Sequence, residues 1–120
     1  MHLPRVAALT LAALLLVGCT VSLRTAAAAV DACDLGLGGG TLVASAQSGL
    51  ALGSGTGRVT EVMWPFGYTA RRGTSGIELI GQKGEVLARE GDFVQVGGGM
   101  SNDGVFQVCD GSVQVVIKPV

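Results

Sequence analysis

Gly76-Ile77-Glu78-Leu79-Ile80-Gly81-Gln82-Lys83-Gly84-Glu85-Val86-Leu87-Ala88-Arg89 decides the fold class. Ile77 and Leu79 precede Gly81-Gln82-Lys83-Gly84, and Val86 and Ala88 follow it, at the period of two that puts alternate side chains on opposite faces of a strand. The intervening residues supply glycine for positive φ, as a β-hairpin loop requires. The same grammar extends in both directions. Residues 41–46, 50–52, 58–64, 92–96, 105–109 and 112–118 are short β-rich runs punctuated by glycine, and no helical period is sustained from Thr41 onward. Glu90-Gly91-Asp92 and Asp110-Gly111 read as further tight turns. The chain is therefore expected to be all-β: a small antiparallel β-barrel, OB-like, or a sandwich, since curling or stacking sheets protects exposed edges. In the last run Val113, Val115 and Ile117 share one face and Ser112, Gln114 and Lys118 the other, with Val116 the exception, which predicts a half-buried strand. Gly36-Leu37-Gly38-Gly39-Gly40 superficially has the spacing of a dinucleotide-binding loop, but it does not join a strand to a helix. It reads as a flexible loop leading into the first strand.

Ahead of this domain, Arg5 and an apolar run from Val6 to Val17, broken only by Thr10, have the layout of an export signal, too short to span a bilayer. Leu16-Val17-Gly18-Cys19 resembles the lipobox of bacterial lipoproteins, in which the cysteine is lipidated and becomes the new N-terminus. The competing site is ordinary cleavage after the small residues Ala26 to Ala29, which would leave a long c-region containing Arg24. The expected organisation is a signal over 1–18, lipidated Cys19 and a flexible tether over 19–32, and a β domain over 33–120, held to a membrane by the lipid. Such a protein is exported and extracytoplasmic, on the outer face of the plasma membrane or on the outer membrane. Export places Cys33 and Cys109 in an oxidising compartment, where they are expected to form a disulfide. Closing a loop of that length is worth on the order of 4 kcal/mol.

Removing the signal also removes His2, the single histidine in the chain. Without histidine a Ser-His-Asp or Cys-His nucleophile is impossible, and bonded cysteines leave no ordinary zinc sphere. Asp31, Asp34, Glu61, Glu78, Glu85, Glu90, Asp92, Asp103 and Asp110 could in principle act in pairs, but none stands in a catalytic motif. Ser101-Asn102-Asp103-Gly104, near Asp110, offers oxygen ligands yet lacks the acidic ladder of a calcium loop and reads as a turn. No catalytic residue, metal or cofactor is expected. Without Arg5 the chain keeps seven Lys/Arg against nine Asp/Glu. That balance argues against nucleic-acid binding, which needs clustered cations.

The remaining candidate site is the segment 64–72, which gathers Trp64, Phe66, Tyr68, Arg71 and Arg72 around Pro65 and Gly67. Aromatic and arginine residues anchor interfaces, and aromatic residues also plug barrels. Trp64 is expected to point inward, Pro65 to occupy the second and Gly67 the fourth position of a type I turn, and Tyr68, Arg71 and Arg72 to form a rim. Trp64-Pro65-Phe66-Gly67-Tyr68, Leu87-Ala88-Arg89-Glu90-Gly91-Asp92, Val94, Gly97-Gly98-Gly99 and Cys109 together resemble small secreted or lipid-anchored proteins of high-GC bacteria such as actinobacteria, over residues 41–117. The resemblance implies an envelope location and β architecture, and no activity. The expected function is a membrane-anchored, non-catalytic binding or adaptor module with an envelope protein or glycan as partner. A purely structural envelope component is the alternative, and a carboxylate-dependent hydrolase the third.

Overall fold

The computed structural model describes residues 20–29, 33–34 and 36–117. The expected signal over 1–18, Cys19, Asp31 and Lys118 lie outside the described residues. Among those residues the strands are β1 (Thr20–Val21), β2 (Gly36–Ser45), β3 (Gly49–Gly53), β4 (Val59–Thr60), β5 (Val62–Met63), β6 (Thr69–Gly73), β7 (Gly76–Ile80), β8 (Val86–Arg89), β9 (Phe93–Met100), β10 (Phe106–Val108) and β11 (Gln114–Val115). The fold is all-β. One sheet has the order β1-β6-β7-β8, and a longer, nearly closed, barrel-like sheet runs β4-β3-β2-β9-β10-β5, with β11 added on β9.

The hairpin expected over 76–89 is β7 and β8. Gly84 sits at φ +82° and donates its N–H to the Gly81 carbonyl at 3.0 Å, while Gly81 donates to Glu85 at 2.8 Å. Ile77, Leu79 and Ala88 face inward and pack with Leu42, Val94 and Val96 of the longer sheet. Burying such side chains contributes about 1.5–3 kcal/mol for each large aliphatic group.

Residues 58–64 close the barrel by changing partners. Thr60 pairs with Leu52 of β3, whereas Val62 pairs in parallel with Phe106 of β10. Beyond that switch at Glu61, β5 is drawn away from β3 and a wedge opens between them. Side chains span part of it. Val62 donates its N–H to Ser48 Oγ at 2.9 Å, and the Trp64 indole donates to the Leu50 carbonyl at 2.9 Å. Glu61 is held at the switch by the hydroxyls of Ser45 and Ser48.

The rest of the wedge is filled by residues 24–26. Arg24 donates its N–H to the Ser48 carbonyl at 3.0 Å and accepts from the Trp64 amide at 2.9 Å, and Ala26 donates to the Trp64 carbonyl at 2.9 Å. Before these contacts, β1 pairs with β6, Thr20 opposite Arg71 and Val21 opposite Ala70. Val21 and Leu23 pack on the core. Gly49 marks the close approach: its φ is +80°, and a Cβ there would lie 3.1 Å from the Leu23 Cα. Residues 20–26, expected to form a tether, are thus a stave of the fold. The physical reason is that the partner switch leaves backbone groups unpaired inside the wedge, and this segment satisfies them.

Two other expectations are corrected. The glycine run 36–40 is not a loop but the first half of β2, paired with β9 from Val94 to Gly98. Close approaches along the run call for glycine: a Cβ at Gly38 would come within 2.9 Å of the Phe106 ring, and one at Gly36, Gly39 or Gly40 within 2.9 Å of the carbonyl oxygen of Gly98, Val94 or Gly53. Of the last run, expected to be half buried over 112–118, the described residues pair with β9 at Gln114 and Val115, and Val116 donates its N–H to the Phe93 carbonyl at 2.8 Å. Val113 packs on the core, but Val115 and Ile117, further along the same face, are exposed, so among the described residues the core covers only the start of this run. The disulfide joins Cys33 to Cys109, with Cα atoms 5.9 Å apart.

Candidate functional site

The Pro65 turn carries the aromatic cluster. Trp64 is fully buried, as expected for an inward residue. The reversal is displaced by one residue from the expected type I turn: Tyr68 donates its N–H to the Pro65 carbonyl at 3.2 Å and Gly67 has φ +86°. Pro65 is therefore the first residue and Gly67 the third, where positive φ is the mark of a type II turn. Phe66 is left at the tip, 48% exposed, and its carbonyl accepts from Gln82 Nε2 at 2.7 Å.

Tyr68, expected on a rim, is buried. Its hydroxyl donates to Asp110 Oδ1 at 2.9 Å and accepts from the Gly111 N–H at 3.2 Å, tying the Pro65 turn to the Asp110-Gly111 turn. Burial pushes its phenol pKa up, and the Asp110 carboxylate adds to the rise against the lowering effect of the Gly111 N–H. Strand alternation accounts for the correction: Tyr68 lies two residues from inward Ala70, and Arg71 falls on the opposite face.

Arg71 is taken up by that outer face. Its Nε donates to Glu78 Oε1 at 2.9 Å, while Arg89 Nε donates to Glu78 Oε2 at 3.1 Å. The Arg71 guanidinium first, and Arg89 with it, hold the Glu78 carboxyl below the usual carboxylate range, against a smaller opposing effect of burial. Thr20, Arg71, Glu78 and Arg89 are consecutive partners across the sheet. Arg72 is exposed near the far end of β6. Tyr68, Arg71 and Arg72 thus form no common surface.

The structure assembles a cleft of about 400 Å³ at the end of the molecule where Phe66 lies. Its lining includes Trp64, Pro65, Phe66, Gln82, Gln107, Asp34, Asp110 and both cysteines of the disulfide. The volume lies within the range of small-molecule sites. Of the residues read as a binding site from the sequence, Trp64 and Phe66 line it, together with both cysteines. Asp34 and Asp110, named only among the carboxylates that could act in pairs, line it too, whereas Gln82 and Gln107 were not singled out. The meeting of the two aspartates had a signal in the sequence: each bonded cysteine is followed by aspartate, so the Cys33–Cys109 bridge brings Cys33-Asp34 and Cys109-Asp110 to one wall. Asp34 also folds over Gly99, where a Cβ would come within 2.9 Å of the Asp34 Cβ.

An exposed aromatic face, two amides and two carboxylates offer apolar contact together with hydrogen-bond donors and acceptors. Among the described residues no three His, Cys, Asp or Glu side chains gather as a metal site. Other carboxylates organise turns: Glu90 accepts from the Ile77 N–H at 3.0 Å and Asp92 from the Arg89 N–H at 2.8 Å. Asp103 accepts from the Ser101 hydroxyl, a bond that lowers its pKa, in the turn joining β9 to β10. Compared with known proteins, the chain matches no family model, no curated protein and no solved structure.

Proposed function

We propose that this chain is an exported lipoprotein, acylated at Cys19, whose β domain is a non-catalytic binding or adaptor module of the bacterial envelope. The observation that carries the anchor is the stave. Cleavage after the run 26–29 would remove residues 20–26 and leave the Ser48 carbonyl, both backbone groups of Trp64 and the β6 edge without their partners. Cleavage before Cys19 keeps every one of these contacts. An unpaired buried backbone group costs about 1–3 kcal/mol, so a secreted domain beginning at Val30 would discard several such contributions.

The cleft supports the binding role. The face of Phe66 flanked by Gln82, Gln107, Asp34 and Asp110 suits a hydroxylated ligand, so an envelope glycan is the favoured occupant. Mass spectrometry of the native N-terminus tests the anchor: an acylated Cys19 is expected, and a soluble product beginning at Val30 would contradict it. Titration with purified envelope glycan tests the role, with Phe66→Ala expected to weaken binding at least about tenfold, the loss typical of an aromatic anchor. No binding by the native domain would favour a purely structural component.

A further inference from the structure

We infer that the lipid holds the domain directly against the bilayer by the β6–β7 turn, Thr74 and Ser75, so that the cleft faces away from the membrane. The inference rests on acylation of Cys19 and extends it to orientation. Thr20 already pairs with Arg71. Consecutive Cα atoms are separated by about 3.8 Å, so the acylated residue lies within one such step of the folded sheet. No spacer intervenes.

The direction follows from the register. Val21 lies opposite Ala70 and Thr20 opposite Arg71, so the chain followed toward its beginning advances toward Arg72 and the 74–75 turn. The cleft lies the other way. Phe66 precedes β6 and Gln82 follows β7, and the hydrogen bond between them marks that end of the sheet. The stave makes the same traverse, from Thr20 beside Arg71 to Ala26 beside Trp64 at the cleft wall. At the strand rise, the two ends are separated by about 15 Å.

The membrane-facing end carries Arg72 beside the turn, and Glu90 and Asp92 in the adjoining β8–β9 turn, where they accept from the Ile77 and Arg89 N–H groups. One base against two acids offers no attraction to anionic headgroups, so the acyl anchor and short reach set the orientation. Salt should leave it unchanged. A ligand would then approach the cleft from the side away from the bilayer.

The test uses full-length, natively acylated protein in phosphatidylethanolamine/phosphatidylglycerol vesicles containing a headgroup-nitroxide lipid. Tryptophan is introduced separately as Ser75→Trp and Lys83→Trp, both in exposed turns, against the constant background of buried Trp64. Most of the added emission at position 75 should be quenched and that at position 83 retained, equally in low and high salt. A ten-residue Gly/Ser insertion between Cys19 and Thr20, with an r.m.s. span of about 18 Å, should abolish the difference. Equal quenching at both sites, or stronger quenching at position 83, overturns the orientation while vesicle flotation and the acylated mass still support the anchor. Absence of the acyl group and of flotation overturns the anchor reading and the orientation with it.

Discussion

Replacing Trp64 by phenylalanine should destabilise the domain far more than an aromatic exchange suggests. The indole is fully buried, and its Nε1–H donates to the Leu50 carbonyl across the wedge where β3 and β5 no longer pair. Losing that donor strands a buried acceptor at about 1–3 kcal/mol. The smaller ring leaves a void of roughly 40 Å³, which at about 24 cal/mol per Å³ adds close to 1 kcal/mol. The total of about 2–4 kcal/mol corresponds to a fall in Tm of roughly 10–25 °C for a domain of this size. The assay is thermal unfolding by far-UV circular dichroism with the disulfide intact and Phe66→Ala as the exposed aromatic control. A Tm within about 3 °C of the parent for Trp64→Phe would refute the claim that the indole braces the wedge, because even the lower estimate predicts a larger fall.

The phenol of Tyr68 has its pKa raised in the fold, so its stabilising contribution is present below the unfolded-state value and is lost as pH rises through the folded-state value. Melting curves above pH 9 should show an alkaline decline that is reduced in Tyr68→Phe. Glu78 has the opposite sign: its lowered pKa contributes stability above the unfolded-state value and loses it as pH falls through the folded-state value. Glu78→Gln should therefore flatten the acid limb of a Tm-against-pH profile, and high salt should flatten it in the parent. Cys109→Ser should cost about 2–5 kcal/mol in denaturant unfolding. It should also weaken ligand capture at the cleft, because the bridge holds Asp34 and Asp110 on one wall.

The β7–β8 hairpin was legible because its information is local: alternation fixes the faces and Gly84 permits the turn. The glycine run 36–40 was not, since its strand character comes from pairing with β9, far away in sequence. Alternation in the last run was real but misleading, because a period says which side chains share a face and not whether another layer covers it. The stave lay hidden for a related reason. Val21 and Leu23 alternate with Thr20, Ser22 and Arg24, but the alternation is too short to stand out before the alanine run 26–29, and the groups the stave satisfies become unpaired only after residues 58–64 switch partners at Glu61. At the site, Tyr68 could have been placed inward by counting two residues back from Ala70. The aspartates of the cleft become neighbours through the disulfide, so their pairing could be inferred only by joining the two Cys-Asp dipeptides.

Amide hydrogen exchange at Arg24 and Ala26 in the disulfide-bonded chain beginning at Thr20 tests the stave most directly. These N–H groups donate to Ser48 and Trp64, one on each side of the wedge. Slow exchange is predicted for both, with protection approaching that of Trp64 and Val62, since opening the stave opens the barrel. Exchange at the rate of an unstructured peptide, while Trp64 and Val62 stay protected, would show that residues 20–26 are a tether after all.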